Sequence, residues 1–170
     1  IGGNERNAIH ALNAYLDAQR AYAARDRDGD GVLQYAQKLA STPGKRDGLH
    51  WPADTAKGEE ASPFGPLVAE GSAYLKGHAV GDAYRGYYFR ILTRQGTNAP
   101  GGAYSYVING RMIAGFAMVA YPAVYGETGV MTFIVSRDRV VHQKDLGPGT
   151  DAVARAMKAY DPDTSWTKAK

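Results

Sequence analysis

The chain of 170 residues, 44% hydrophobic and 22% charged, has the composition of one globular domain over residues 1–170. Its net charge of +3 comes from interleaved acidic and basic residues, so no cationic tract indicates nucleic-acid binding. It has no cysteine, which excludes a disulfide framework, a zinc ribbon and a thiol nucleophile.

The sequence shows no sign of a membrane span. Its longest apolar run, residues 112–125, is shorter than the roughly 20 residues a spanning helix needs, and it contains a glycine and a proline. A buried strand explains this run better. Because the chain begins at Ile1 without a methionine, we expect that it was trimmed from a longer precursor.

Residues 4–24 predict a long helix, with Asn4 as its N-cap. Gln19 and Arg20 interrupt the apolar surface near the end, where we expect the helix to emerge into solvent. The apolar stripe that should pack on a sheet or a second helix comprises Ala8, Ala11, Tyr15, Ala18 and Tyr22.

The next part of the chain predicts two short helices and one long loop. The helices are expected over residues 33–40 and 67–74. Between them, residues 41–66 are rich in proline and glycine, which predicts an irregular segment that the Trp51 ring fixes to the body.

From residue 86 onward the pattern is typical of β-strands. Residues 87–94 alternate, with Tyr87, Phe89 and Ile91 on one face and Tyr88, Arg90 and Arg94 on the other. Residues 115–121 are apolar on both faces, which predicts a central strand. Residues 129–136 and 139–146 flank the turn Arg137-Asp138 and predict an antiparallel hairpin.

A C-terminal helix closes the predicted fold. It starts at Thr150 as cap, with Val153, Met157 and Tyr160 facing inward. A long N-terminal helix packed on an antiparallel sheet of about four strands, followed by a C-terminal helix, makes the fold class α+β.

The stretch DRDGDGVLQYAQ, residues 26–37, has the spacing of a calcium loop. An EF-hand loop places oxygen ligands at positions 1, 3, 5, 7, 9 and 12, with glycine at position 6. The glycine is Gly31, position 9 is Gln34, and position 12 is glutamine where a bidentate glutamate is expected. The predicted structural Ca²⁺ ligands are Asp26, Asp28, Asp30, the Val32 carbonyl and Gln37. The alternative is a polar turn in which Asp30 caps the next helix.

Signatures of catalysis are weak. The histidines, His10, His50, His78 and His142, show no metal-ligand spacing, and no G-x-S-x-G elbow occurs. The adjacent Glu59 and Glu60 are expected to be a solvated pair. GPGTDA, residues 147–152, mimics a dinucleotide loop but lacks the second parallel strand, so its glycines are interpreted as turn residues. We assign no catalytic residue.

The chain has 12 tyrosines. Such rings stack on sugars or anchor a protein partner, but most of them are expected in the core. The glycine-rich loop 95–106 could form a groove with the Trp51 loop.

Four ordered segments carry a family resemblance: DGDGVLQYAQKLASTPGKRDGLHW, GYYFRILTRQGTNAPGGAYSYVINGRMIAGFAMVAYP, YGETGVMTFIVSRDRVVHQKDLGPGT and YDPDTSW. Together they resemble the bacterial family called domain of unknown function 2950, over nearly the whole chain. The resemblance implies an exported, periplasmic protein of Gram-negative bacteria. It also implies that this chain is the C-terminal part of a longer exported precursor, whose signal peptide and another N-terminal region lie outside it. It carries over no catalytic residue, because the family has no established activity. Arg139 and His142 depart from the glycine-containing turn and the aromatic residue expected there.

A second likeness concerns shape alone. The long alanine-rich helix before an antiparallel sheet resembles the globular part of type IV pilins and pseudopilins, without their hydrophobic stem.

These observations lead to one functional hypothesis and two alternatives. The leading hypothesis is an exported, periplasmic or extracellular, non-enzymatic domain that binds a protein or glycan of the cell envelope or scaffolds an assembly there. The alternatives are a periplasmic enzyme acting on a cell-wall or carbohydrate substrate, and a glycan-binding module that uses tyrosine faces.

Overall fold

The structure, a computed structural model, describes residues 1–39, 41–42, 44–51, 53, 55–64 and 85–169. Helix α1 spans Gly2–Ala23 and helix α2 spans Thr150–Ala156. Short 3-10 turns lie at Thr55–Lys57 and Gly147–Gly149. The strands are β1 (Tyr87–Leu92), β2 (Arg94–Gln95), β3 (Tyr104–Ser105), β4 (Val107–Ile108), β5 (Arg111–Met112), β6 (Ala117–Pro122), β7 (Met131–Ser136), β8 (His142–Asp145), β9 (Ala159–Tyr160) and β10 (Thr167–Lys168). No helix in these ranges is long and apolar enough to cross a bilayer.

The main sheet has five antiparallel strands in the order β1-β6-β7-β8-β10. Every residue of β6 is buried, which confirms the predicted central strand and its apolar character on both faces. The β7–β8 hairpin is also confirmed, with Ile134 opposite His142. The fold is therefore α+β. The expected sheet of about four strands gains β10, whose two exposed residues give no hydrophobic signal.

Helix α1 packs on one face of this sheet, mainly against β6 and β7. Its alanines allow close approach, and Leu12, Tyr15 and Leu16 are fully enclosed. The predicted cap was wrong: the helix begins at Gly2, and the Asn4 amide instead donates to the Thr128 carbonyl at 3.0 Å. The Asn4 side chain thus forms a tertiary hydrogen bond instead of the capping bond that the sequence pattern predicted.

Gln19 was expected near solvent, but it is fully buried. Its amide nitrogen donates to the Tyr15 hydroxyl at 3.0 Å and to the Ala36 carbonyl at 2.8 Å. Its amide oxygen accepts from the Ala36 N–H at 2.7 Å. The Tyr15 hydroxyl in turn donates to the Ala117 carbonyl at 3.0 Å. Gln19 therefore joins α1 to the segment that follows it, as a satisfied buried polar group.

The helix predicted over 33–40 is absent from its described part, residues 33–39. The Tyr35 N–H donates instead to the Met112 carbonyl at 2.8 Å, as an isolated antiparallel bridge. Because the Gln19 side chain hydrogen-bonds the N–H and C=O of Ala36, these groups cannot join a helix, and the stretch is extended. The helix predicted over 67–74 lies outside the described residues.

The second face of the sheet carries α2, which packs on β6. Arg90 donates to the carbonyls of Ala154 and Met157, at 2.7 and 3.0 Å. These carbonyls mark the end of α2, so the guanidinium caps its C-terminus. The C-terminal helix is thus confirmed but is shorter than expected.

Three details of the predicted C-terminal helix were wrong. Thr150 lies inside α2 after the N-cap Gly149, and its hydroxyl donates to the Gly147 carbonyl at 2.6 Å. Val153 is 49% exposed. Tyr160 is buried as predicted, but it belongs to β9, which pairs in parallel with β2.

Trp51 is 3% exposed, which confirms that it fixes the long loop. Its indole N–H donates to the Glu60 carbonyl at 3.0 Å. The guanidinium groups of Arg27 and Arg46 each lie 5.3 Å from the indole ring centroid. Hydrogen bonding and cation–π contacts together hold this loop against the end of α1.

We predict that Gln19→Met lowers the free energy of unfolding by about 2–4 kcal/mol. The change keeps the volume but leaves the Ala36 N–H and C=O buried without partners, at about 1–3 kcal/mol each. Urea denaturation followed by circular dichroism measures the loss. The matched control, Asn13→Met on the exposed face of α1, should stay within about 0.5 kcal/mol of wild type. Equal stability of Gln19→Met and wild type would contradict the role given to this amide.

We further predict that Trp51→Ala costs about 3–5 kcal/mol, because an enclosed indole leaves a large cavity. Trp166→Ala, at a partly buried tryptophan, should cost clearly less. Denaturation curves of both variants test this, and limited proteolysis should cut Trp51→Ala faster between residues 41 and 64. Rapid cleavage there in the wild-type protein would show that the loop is not held.

Candidate functional site

A cleft of about 520 Å³ lies between the first turns of α1 and the outer strands of the main sheet. Its size falls within the usual range for ligand sites, roughly 300–1,000 Å³. The lining residues are Gly2, Glu5, Arg6 and Ile9 from α1, with Phe133, Gln143, Thr167 and Lys168 from the sheet.

The helical wall of the cleft follows from the spacing of its residues. Positions 2, 5, 6 and 9 share one face of a helix, beside the stripe that packs into the core. The sheet wall follows from topology, because α1 packs mainly on β6 and β7 while the sheet continues to β8 and β10. The cleft is thus the part of the sheet face that extends beyond the helix.

Strand register decides which side chains face the cleft. Phe133 pairs with Gln143, and Gln143 pairs with Thr167, so all three point to the α1 side of the sheet. Lys168 is next along β10, so its side chain points to the opposite face and its backbone borders the cleft. The floor is therefore formed by the Gln143 amide and the Thr167 hydroxyl, beside the buried Phe133 ring.

The two charged residues of the helical wall differ in their freedom. The Glu5 carboxylate accepts from the backbone N–H groups of Met131, at 2.8 Å, and Val130, at 3.3 Å. Burial, followed by the nearby negative charge of Glu5, raises the pKa of Tyr87, whose hydroxyl donates to the Met131 carbonyl. Arg6 is exposed and forms no ion pair within the described part of the chain. Within the described residues, the cleft therefore offers one unpaired cation, Arg6, above the Gln143 and Thr167 side chains.

The predicted calcium loop forms a turn in which each aspartate has its own partner. Asp26 accepts from the N–H groups of Gly29, Asp30 and Gly31, at 2.9, 3.2 and 2.7 Å. Asp28 accepts from the Gln34 amide at 2.6 Å. These contacts are those of a polar turn.

Two of the remaining predicted ligands, Asp30 and Gln37, contact the β4–β5 hairpin. Asp30 accepts from Arg111 Nε at 2.6 Å, and this hydrogen bond is the main cause of the lowered pKa of its carboxyl group. The Gln37 amide donates to the Gly110 carbonyl at 3.0 Å, and the Val32 N–H donates to Asp30. Gly31 has a positive φ of 79°, the sharp turn that position 6 of a calcium loop requires. Among the described residues no three histidine or acidic side chains are grouped to hold a metal ion.

The described histidines have separate surroundings. His10 is exposed on α1. His50 Nδ1 lies 3.3 Å from the Ser62 hydroxyl, and burial lowers the pKa of His50. His142 Nδ1 lies 3.3 Å from the hydroxyl of Tyr160, whose pKa is raised to about 12, mainly by burial. His78 lies outside the described residues.

Glu60 was expected to form a solvated pair with Glu59, but the structure pairs it with arginines. The half-buried Glu60 forms ion pairs with Arg25 at 2.9 Å, Arg27 at 3.1 Å and Arg46 at 3.6 Å, beside Trp51. Glu60 is therefore part of the loop anchor.

The two loops that were expected to form a groove, the glycine-rich loop and the Trp51 loop, have separate anchors among the described residues. The glycine-rich loop is held by Gln95, whose amide donates to the carbonyls of Pro100 and Gly102, and by Asp161, which accepts from Asn98. The Trp51 loop is held at the end of α1 instead.

Sequence reasoning missed the α1–sheet cleft. Its one local signal was the polar stripe of Glu5 and Arg6 beside the apolar stripe of the first helix. The other half comes from β10, which gave no pattern of its own.

Comparison with known proteins gives one match. No curated protein and no solved structure matches the chain, and the pilin likeness is not confirmed. The family model described as "Protein of unknown function (DUF2950)" matches residues 1–169. The match spans nearly the whole chain, as the sequence resemblance predicts, and the chain belongs to the DUF2950 family.

Proposed function

We propose that this chain is an exported, non-enzymatic domain that binds a partner protein of the cell envelope, in the periplasm or outside the cell, through the α1–sheet cleft. The observation that carries the proposal is the cleft itself, with Ile9 in its wall and an Arg6 guanidinium that forms no ion pair within the described residues. An apolar centre with a polar, accessible rim is the usual composition of a protein-binding site. The proposal that the protein is exported rests on the family resemblance.

The distribution of reactive groups supports binding over hydrolysis. A hydrolase brings a nucleophile or base and its orienting partner within hydrogen-bond reach of one reacting atom. Here the Glu5 carboxylate in the cleft wall and the Asp26 carboxylate accept hydrogen bonds from backbone N–H groups. The Glu60 carboxylate is paired with arginines.

Tyrosine burial supports a protein partner over a glycan. Stacking on a sugar requires an accessible aromatic face. Six of the ten described tyrosines are buried: Tyr15, Tyr22, Tyr87, Tyr106, Tyr121 and Tyr160. The other four, Tyr35, Tyr88, Tyr104 and Tyr125, are partly buried.

Charge reversal at Arg6 tests the proposed site. We predict that Arg6→Glu lowers recovery of the partner from envelope extract about tenfold, because it replaces the free cation of the cleft with an anion. Recovery is measured by quantitative pull-down after the protein has been chemically cross-linked to its partners in the extract. Arg20→Glu is the matched control, since it reverses an exposed arginine on the same helix, outside the cleft, and should retain wild-type recovery. If both variants capture the same proteins as wild type, the cleft is not the partner site.

We propose separately that the 26–37 loop binds a structural Ca²⁺ ion. The alternating aspartates and the positive φ of Gly31 support this. The Arg111 contact and the glutamine at position 37 make the site weaker than a full EF-hand. We expect a Kd on the order of 10⁻⁴ M, typical of extracellular modules.

At about 1 mM Ca²⁺ such a site stabilises the fold by about 1.4 kcal/mol. We predict a Tm rise of roughly 3–5 °C over a chelator control, lost in Asp28→Ala. Thermal unfolding by circular dichroism measures this rise. A wild-type Tm that ignores Ca²⁺ would leave the loop as a polar turn.

A further inference from the structure

The outer edge of the main sheet runs along the cleft. Building on the proposed function, we infer that the partner enters the cleft as an extended segment that adds a strand to β10. The segment places one apolar and one acidic side chain, two residues apart, into the cleft. The inference joins three observations: the edge of β10, the spacing of side chains on a strand, and the chemistry of the cleft walls.

The hydrogen-bond register of β10 leaves one residue facing outward. Thr167 pairs with Gln143 and Lys168 with His142, and the Ala169 N–H donates to the Val141 carbonyl at 2.8 Å. In an antiparallel ladder this bond makes Lys168–His142 a non-hydrogen-bonded pair. The N–H and C=O of Lys168 therefore point away from β8, toward the open edge.

An outward N–H and C=O on an edge strand form a template for another extended chain. In the sheet order β10 is the last strand, and no described strand pairs with its outer side. Lys168 also borders the cleft, so an added strand would lie along the cleft mouth.

The walls of the cleft select the side chains of the added strand. Successive side chains of a strand alternate between faces, so the two neighbours of the residue opposite Lys168 enter the cleft together. One lies above Thr167 and faces the Ile9 wall of the cleft, which favours an apolar side chain. The other can reach Arg6, which favours a carboxylate. The recognised pattern is apolar-x-acidic.

Lys168 argues against a second copy of this chain as the occupant. Antiparallel pairing of two β10 edges about their outward-facing residues would set two Lys168 side chains directly opposite each other on one face. Like charges directly opposite on a sheet are destabilising, and an edge lysine is a common guard against such self-pairing. The occupant is thus a different segment, with acidic character.

The probe for the test is a capped heptapeptide of threonine and serine that carries valine and glutamate two positions apart. In the control peptide valine and glutamate are adjacent, so that they point to opposite faces. Binding to the 170-residue chain is measured by fluorescence anisotropy. We expect the first peptide to bind at least about tenfold more tightly than the control, and Arg6→Glu, but not Arg20→Glu, to abolish this preference.

The edge hydrogen bond is tested at Lys168. Lys168→Pro removes the outward N–H without touching the β8–β10 ladder, because proline is tolerated where the N–H faces solvent. Lys168→Ala keeps that N–H. We expect proline to weaken peptide binding about tenfold or more and alanine to change it by less than about threefold. Amide exchange at Lys168 in the wild-type protein should slow on peptide binding. Unchanged circular dichroism spectra establish that both variants are folded.

The outcomes separate this inference from the proposed function. If the wild-type protein binds neither peptide at millimolar concentration, or if Lys168→Pro binds as Lys168→Ala does, strand addition is wrong. The proposed function survives either result as long as Arg6→Glu still loses the envelope partner. Loss of peptide binding in Lys168→Pro alone, together with slower exchange of the Lys168 amide, supports strand addition.

Discussion

The contact between the Tyr15 hydroxyl and the Ala117 carbonyl fixes α1 on the sheet, and Gln19 extends it to Ala36. These groups are buried, so each hydrogen bond is electrostatically strong and costly to break. Apolar packing stabilises the helix on the sheet but is not directional. The directional bonds set its position, and that position determines how much of the sheet the helix leaves uncovered.

Long periodic hydrophobic patterns predicted the fold well, and short ones did not. The first helix and β6 each bury a long apolar surface, so periodicity located both of them. The failures at 33–39 and after Ala156 have a common cause. In both places a distant side chain, Gln19 or Arg90, hydrogen-bonds backbone groups of the segment, and the local sequence carries no trace of that partner.

The cleft was harder to foresee than the fold. Its walls come from positions 2–9, 133, 143 and 167–168, which only the strand order brings together. The aspartate loop, by contrast, was conspicuous because its signal is local, although the structure gives each aspartate a separate partner. Short motifs in a sequence draw attention to turns, whereas concave sites formed by tertiary packing leave almost no local signal.

The two ends of α1 use their charges in opposite ways. At the C-terminal end, Arg25 and Arg27 meet Glu60, and the adjoining turn pairs Asp30 with Arg111. At the N-terminal end, Glu5 is bound to the backbone of the sheet while Arg6 forms no ion pair within the described ranges. A paired arginine must give up its partner before it can bind another anion, whereas Arg6 need lose only water. Within the described part of the chain, this unpaired cation lies beside the outer edge of β10, where α1 leaves the sheet face uncovered, and this arrangement supports the proposed acidic, extended ligand.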